Sequence, residues 1–460
     1  MKLSDLQSAG VGICRGGDCE FSTLSTDTRT LQVNDLFVAI SGEHFDAHDY
    51  AILAKEKGVC GLVVERALNV ALPQLVVKDS IVALGEIAAI VRHEFTGQVL
   101  AITGSCGKTS VKAMLKNICD EAGTCIATQG NFNNHIGVPL TLLRLTQEAD
   151  FAVIEAGTSG VGEISYLTRL IKPDVALVNN VMPAHVEGFG TVEAIAREKS
   201  AIYGTSQNLS IPVVNLDDAH LNILLGDLGA RKVVGFTSRA ELESLPINCE
   251  QVITLVRAAE VTADALGRCE FLLVVGEASC RIQLGVLGRH SLNNALAAAT
   301  CAYVMGVGFC EIKRGLESFT GENGRMQVLC GINGATIIDD SYNANPGSMK
   351  AAIDVLAGNP NSILVSGDMA ELGGHSAAFH KELGVYAKTK GIGRVYTVGK
   401  DSRGISSGFG SEDNHCENKD DLIKRLISTI NEISCVLVKG SRSAKMETVV
   451  KALTSNEVMH

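Results

Sequence analysis

The sequence predicts an α/β protein of three domains, two of them wound around largely parallel sheets. Three observations carry that expectation. The chain has 460 residues, about three domain lengths. Short apolar runs alternate with amphipathic helical patterns along most of it, as they do where helices cover a parallel sheet. One strand-to-helix junction, Thr103-Gly104-Ser105-Cys106-Gly107-Lys108-Thr109-Ser110, is built like a phosphate-binding loop.

The first expected domain spans 1–97. Leu36 to Ile40, Gly61 to Val64 and Leu75 to Val77 read as strands, and Tyr50 to Lys57 as a helix stopped by Gly58. Ile81, Leu84, Ala88 and Val91 then mark one face of a helix. The second domain, 98–319, opens with a strand from Val99 to Thr103. Val111, Met114, Leu115 and Ile118 line the helix after it, with Gly123 in place for a C-cap. Phe151 to Ile154 and Val175 to Val178 are further strands. Residues 248–287 hold three β runs without long helices between them, which predicts an antiparallel patch appended to the sheet. Ala295 to Phe309, rich in Ala and Gly, reads as a tightly packed internal helix, being too short for a membrane span. The third domain, 320–460, has strands at Thr336 to Ile338, Ile363 to Val365, Val395 to Val398 and Val436 to Val438. Pro346 suits the first turn of a helix that buries Met349, Ile353 and Leu356. Met446, Val449, Val450 and Leu453 mark the last helix.

Composition excludes several classes. A net charge of −11 repels nucleic acid and anionic membranes. The first residues, Met1 to Ile13, carry Asp5, Gln7 and Ser8 and lack a signal-peptide apolar stretch, so a cytoplasmic protein is expected. The 14 cysteines form no Cys-x-x-Cys pair, and many sit in apolar runs; free thiols in a reducing compartment are expected, not a zinc site. A monomer is expected.

In the phosphate loop, Gly104 and Gly107 let backbone N–H groups turn onto phosphate oxygens, and the following helix adds its positive end. Lys108 can neutralise β- and γ-phosphates, and the Thr109 hydroxyl can meet Mg²⁺. Ser105, Cys106 and Ser110 complete the loop; Cys106 is expected to contribute backbone alone. The general pattern places a glycine where Ile102 stands. Glu155 ends one apolar strand and His185 follows another, and strand C-termini in such sheets converge on one crevice. A carboxylate suits hard Mg²⁺; an imidazole is a less usual ligand, and the lesser alternative for Glu155 is a helix N-cap or loop carboxylate. Lys199 lies on the apolar stripe of Ile195 and Ile202, where it must snorkel or find a partner. In His290-Ser291-Leu292-Asn293-Asn294-Ala295, Ser291 or Asn293 can cap a helix.

The shortened loop, Thr-Gly-x-x-Gly-Lys-Thr, resembles that of the Mur ligases, and the resemblance spreads along nearly the whole chain. Ser25 to Arg29, Asp35 to Ala39 and Gly42 to His48 resemble the family's UDP-binding first domain. Gly130 to Asn134 and Ile136 to Pro139 resemble a loop of its central domain. Asp339 to Pro346, Gly367 to Gly373 and Lys439 to Glu447 resemble its C-terminal, Rossmann-like ligase domain. The resemblance implies a three-domain architecture around a central P-loop ATPase domain. It implies an ATP- and Mg²⁺-dependent ligase that joins D-alanyl-D-alanine to UDP-N-acetylmuramoyl-tripeptide through an acyl phosphate. By the same resemblance Thr109, Glu155, His185 and a CO₂-carboxylated Lys199 hold metal, and Lys108 stabilises the transferring phosphoryl group. Asn294 meets adenine, and Arg325 and Asp340 reach ATP. Thr26, Asp27, Thr28, Arg29, Asp46, His48, Asn133, Asn134, Asn343 and Asn345 meet the other substrates. Ala156 to Gly160 and His135 depart from the family pattern and put local substrate contacts in question. The rivals are a sister ligase adding a diamino acid, whose Asp-Asn-Pro-Arg motif is missing here, a folylpolyglutamate synthetase, and a P-loop ATPase that is no ligase.

Overall fold

The computed structural model describes residues 1–42, 45–183, 186–204, 210–239, 251–264, 267–359 and 361–454. Among these residues the strands form three sheets that follow one another along the chain.

The first sheet holds β1 (Ile13–Arg15), β2 (Leu24–Ser25), β3 (Leu36–Val38), β4 (Gly61–Val64) and β5 (Gln74–Val76), in the order β1-β5-β4-β3-β2. Strands β2 to β5 pair in parallel, and β1 closes one edge antiparallel to β5. Every residue of β3 and β4 is buried, which explains their unbroken apolar runs. The helix Ala51–Glu56 ends where Gly58 turns the chain at φ +85°. The helix Ser80–Glu94 starts on the Asp79 carboxylate, which accepts the N–H groups of Ile81 at 2.8 Å and Val82 at 2.9 Å. Near its end Arg92 is buried and leaves its own layer, donating to the carbonyls of Ile171 at 2.7 Å and Lys172 at 2.8 Å.

The second sheet holds β6 (Gln98–Thr103), β7 (Cys125–Ala127), β8 (Phe151–Glu155), β9 (Val175–Val178), β10 (Ile211–Asn215), β11 (Val233–Thr237), β12 (Val252–Ala263), β13 (Arg268–Val275) and β14 (Ala278–Leu287). Its order is β14-β13-β12-β11-β10-β9-β6-β8-β7. The strands from β7 across to β12 pair in parallel, and β12, β13 and β14 form the antiparallel patch expected from the sequence. Strand β6 lies between β8 and β9, so the chain leaves it in both directions and opens a crevice at its carboxyl end. Two expectations change here. Gly123 is no left-handed cap: it donates its N–H to the Cys119 carbonyl, and a Cβ there would sit 2.4 Å from the Asp150 carboxylate. The run Ala295 to Phe309 is not one helix; Arg289–Val304 ends before Gly306 turns at φ +84°, and Phe309–Glu317 starts anew.

The third sheet holds β15 (Gln327–Cys330), β16 (Thr336–Asp340), β17 (Ser362–Ser366), β18 (Arg394–Val398), β19 (His415–Cys416) and β20 (Cys435–Lys439), in the order β15-β16-β20-β17-β18-β19. All pairs but β15–β16 are parallel. Pro346 opens the helix Pro346–Leu356, and the Asn345 side chain caps it. The described cysteines are all free thiols. No helix among the described residues is long and apolar enough to cross a membrane.

Candidate active site

A cleft of about 850 Å³ opens where the carboxyl ends of β6, β8 and β9 face the third sheet. The phosphate loop forms its floor. Gly104 and Gly107 take φ values of +155° and +78°, conformations open to glycine. A Cβ on Gly107 would lie 2.5 Å from Oδ1 of Asn294, so the glycine also makes room for that side chain. Helix Lys108–Asp120 begins directly behind the loop and points its positive end at the cleft. The Lys108 ammonium folds back to the Gly104 carbonyl at 2.7 Å.

The loop is scaffolded by two residues that sequence reasoning did not single out. Asn179 and Asn180 follow β9. Asn180 accepts the Ser105 N–H on its carbonyl at 2.9 Å and the Cys106 N–H on its side chain at 2.8 Å. Both asparagine amides donate to the Cys106 carbonyl at 3.0 Å, and Asn179 donates as well to Oδ1 of Asn294. Paired amides at the end of an apolar strand were the signal available. Asn294 is thus buried between Asn179 and the loop glycine. Neither Ser291 nor Asn293 caps its helix: the helix starts after Gly288, and the Ser291 hydroxyl donates back to the Leu287 carbonyl at 2.7 Å.

Thr109 is a meeting point. Its hydroxyl donates to Oε2 of Glu155 at 3.1 Å and accepts from Nη2 of Arg325 at 3.1 Å. Glu155 is 2% exposed, and its other oxygen accepts from Asn133 Nδ2 at 2.9 Å. The Lys112 ammonium lies 3.6 Å from Oε2. Lys112 was missed in the sequence, although it stands one helical turn after Lys108. Asn134 also lines the cleft, and its side-chain oxygen accepts the N–H groups of Ile136 at 3.1 Å and Gly137 at 2.8 Å at the start of the next helix. Lys199 is 2% exposed and does not snorkel; burial first, and the field of Lys108 second, pull its amine down to about 7. Its neighbour Glu198 receives the N–H groups of Gly162 at 2.7 Å and Ile164 at 2.8 Å, where helix Glu163–Ile171 begins. His185 lies outside the described residues.

The opposite wall comes from the third sheet. The Arg325 guanidinium stacks on the Tyr342 ring at 4.2 Å while it reaches Thr109. Asp340 faces Lys439 across the β16–β20 register, and the two form a buried ion pair at 2.5 Å. Lys439 also donates to the Asn343 carbonyl at 2.8 Å. Asn345 caps its helix and donates to Cys106 Sγ at 3.0 Å, so the Cys106 side chain, expected to be idle, bridges the two walls.

The first-sheet candidates line no part of this cleft. They gather at the carboxyl ends of β2, β3 and β4. Asp27 pairs with Arg29 at 2.6 Å, and the arginine holds its carboxyl down at about 2. Thr28 offers its carbonyl to Lys57 at 2.7 Å. Thr26 lies between these groups and Ser25 at the end of β2. Asp46 accepts from Arg66 at 2.8 Å and from Nδ1 of His48 at 2.6 Å, and these contacts hold its carboxyl well below the usual range. His48 Nε2 in turn accepts the Glu65 N–H at 2.9 Å, which places the ring proton on Nδ1.

Comparison with known proteins agrees with this geometry. Residues 102–302 match the Mur ligase middle domain, and residues 324–442 match the domain described as Mur ligase, glutamate ligase domain. The UDP-N-acetylmuramoyl-tripeptide--D-alanyl-D-alanine ligase of Escherichia coli strain K12 is 43% identical over 99% of this chain and 98% of its own length. The enzyme of the same name from Haemophilus influenzae is 36% identical over 98% of both. Among solved structures, MurF from Acinetobacter baumannii superposes with a TM-score of 0.88 at 30% identity, covering 98% of each chain. MurF ligase from Thermotoga maritima in complex with ADP gives 0.80 at 26% identity, over 94% of this chain and 96% of that one. With a phosphate loop, a facing third sheet and relatives matched from end to end, the chain belongs to the Mur ligase family.

Proposed function

We propose that the protein is an ATP-dependent ligase that joins D-alanyl-D-alanine to UDP-N-acetylmuramoyl-tripeptide in cytoplasmic peptidoglycan precursor synthesis. The observation that carries the reading is the Thr109 hydroxyl, held between a carboxylate behind the phosphate loop and Arg325 from the facing side. A polyphosphate laid on the loop would meet Lys108, Thr109 and Arg325 together. The relatives supply the substrate names.

A carboxylate is a poor electrophile and must be activated before it can form an amide. The tripeptide carboxylate attacks the γ-phosphorus of ATP, ADP departs, and an acyl phosphate results. The amine of D-alanyl-D-alanine then attacks the acyl carbon, phosphate leaves, and the nitrogen sheds a proton. Lys108, Arg325 and the helix N-terminus spread the negative charge that grows on the phosphoryl oxygens. No protein nucleophile is needed, so no cysteine is assigned a chemical step. Buried oxygen donors fit a hard cation: the Thr109 hydroxyl and Glu155 carboxylate converge on one side of the loop and would hold Mg²⁺. When bound, that ion supplies charge neutralisation at the phosphates.

The division of labour follows the three sheets: residues 1–97 hold the UDP end through Thr26 to Arg29, Asp46 and His48; residues 98–319 hold ATP; residues 320–460 bring the amine past Asn343 and Asn345. Asn133 and Asn134 line the tripeptide side, Asn294 meets adenine, and Asp340 approaches the nucleotide. Lys199, buried and with a depressed basicity, is set to capture CO₂ as a carboxylated amine that adds an anion beside the loop, with His185 as its expected companion.

Phosphate release from the purified protein tests the reading. With Mg-ATP and UDP-N-acetylmuramoyl-tripeptide, release should require D-alanyl-D-alanine and yield a product heavier by the dipeptide. Release that ignores the dipeptide but responds to another amino acid would point to a sister ligase. Release indifferent to every amine would leave a P-loop ATPase.

A further inference from the structure

A buried cation stands beside the carboxylate behind the phosphate loop, and the chemistry above does not use it. Lys112 is 5% exposed and sits in the first turns of helix Lys108–Asp120. Its ammonium lies 3.6 Å from Oε2 of Glu155 and donates to the Gly130 carbonyl at 3.1 Å. The other carboxylate oxygen receives Asn133, from the same segment as Gly130. Oε2 is therefore flanked by the Lys112 ammonium on one side and the Thr109 hydroxyl on the other. A buried carboxylate needs a compensating charge, and the nearest cation that the structure supplies is Lys112.

We propose that Lys112 is a positioning residue that serves as the counter-ion of Glu155 and keeps a free divalent cation from settling there without nucleotide. The proposal rests on the reading of Glu155 as a cation ligand. Two cations that share one carboxylate repel each other, and the repulsion is strong where water is excluded. A free divalent cation is thereby held off. A cation arriving with a polyphosphate brings its own negative charge, which offsets the repulsion. Lys112 also fixes Gly130 and so keeps Asn133 on the second carboxylate oxygen, which ties the segment after β7 to the metal side of the loop.

The test measures Mn²⁺ binding to the full-length protein by electron paramagnetic resonance, with Mn²⁺ alone and with Mn²⁺ plus ADP. Lys112→Met should bind Mn²⁺ alone about tenfold more tightly than the unmodified protein. Mn²⁺ should also raise the melting temperature of that variant by more than it raises the parent's. Lys112→Arg, which keeps the charge, should behave like the parent. Equal Mn²⁺ affinity in Lys112→Met and the parent overturns the proposal. Glu155→Gln separates the two ideas: if it leaves Mn²⁺ binding with ADP unchanged, the reading of Glu155 as a ligand fails instead. Should Lys112→Met not fold, the double variant Lys112→Met/Glu155→Gln decides. Recovery of folding in the double variant supports charge pairing, and its failure to fold overturns the proposal in favour of packing.

Discussion

Lys199 shows how burial, helped by a neighbouring charge, can change what a side chain does. An exposed lysine is an ammonium ion at neutral pH and cannot attack CO₂. Here burial and the nearby Lys108 charge both favour the neutral amine, bringing its basicity to about 7. The nitrogen lone pair is then available to add to the carbon of CO₂, releasing a proton and leaving an anionic carbamate. Protein equilibrated with [¹³C]bicarbonate should show one carbamate carbon signal per chain in its NMR spectrum, and Lys199→Arg should lack it, because a guanidinium stays protonated. Identical spectra from the two proteins would refute carboxylation at this position. The sequence made Lys199 visible through its place on an apolar stripe. It did not reveal Lys112, whose significance depends on Glu155 arriving from β8, or Lys439, whose partner Asp340 lies on a strand distant in sequence. Ion pairs across a sheet depend on register, and register is a property of the folded chain.

At the scale of elements, the turn from β6 into helix Lys108–Asp120 shows the tightest link between local sequence and site. Gly107 has a left-handed backbone, and Asn294 and Asn179 crowd the space where a Cβ would go. Gly107→Ala would cost about 1–2 kcal/mol in backbone strain and would press on the Asn179–Asn294 hydrogen bond of 3.0 Å. ATP affinity should fall about tenfold or more in calorimetric titration, while the far-ultraviolet spectrum stays that of the parent. An unchanged dissociation constant would contradict the role given to this turn. Loop, strand and helix were all legible because each is a short-range pattern. Strands β10 and β11 were not. Pro212 in β10 lacks an N–H and reads as a strand breaker. Gly235 interrupts the apolar run of β11, yet it is there because a Cβ would lie 2.6 Å from Leu216 of the neighbouring segment. The antiparallel patch was legible from its lack of helices, but its parallel junction with β11 was not, since that pairing spans the chain between two strands.

Across the whole molecule polar contacts tie the three sheets at specific points, beside the apolar packing of helix Ser80–Glu94 on the second sheet's core. Arg325 on Thr109 and Asn345 on Cys106 link the second and third sheets at the cleft itself, so a nucleotide laid on the loop would meet the contacts that join the two walls. The link between the first and second sheets is of another kind, because it is buried and away from the cleft. Arg92 leaves the helix Ser80–Glu94 and satisfies the carbonyls of Ile171 and Lys172 that helix Glu163–Ile171 leaves open at its carboxyl end. Burial lowers the basicity of this guanidinium, and the Asp174 carboxylate 3.7 Å away works against that loss. Removing the side chain would leave the buried Ile171 carbonyl without this donor and hand the Lys172 carbonyl to water, at a cost of roughly 1–3 kcal/mol. The loss should be local, since Arg92 meets the second sheet only along the seam with β6, through Ile171, Lys172 and Asp174. In Arg92→Ala, hydrogen exchange should quicken in β3 and β4, while β11 and β20 keep the protection of the parent. Uniform quickening over all three sheets would mean that the chain unfolds as one cooperative unit, and unchanged exchange in β3 and β4 would mean that the apolar contacts of the helix Ser80–Glu94 suffice to hold the first sheet in place.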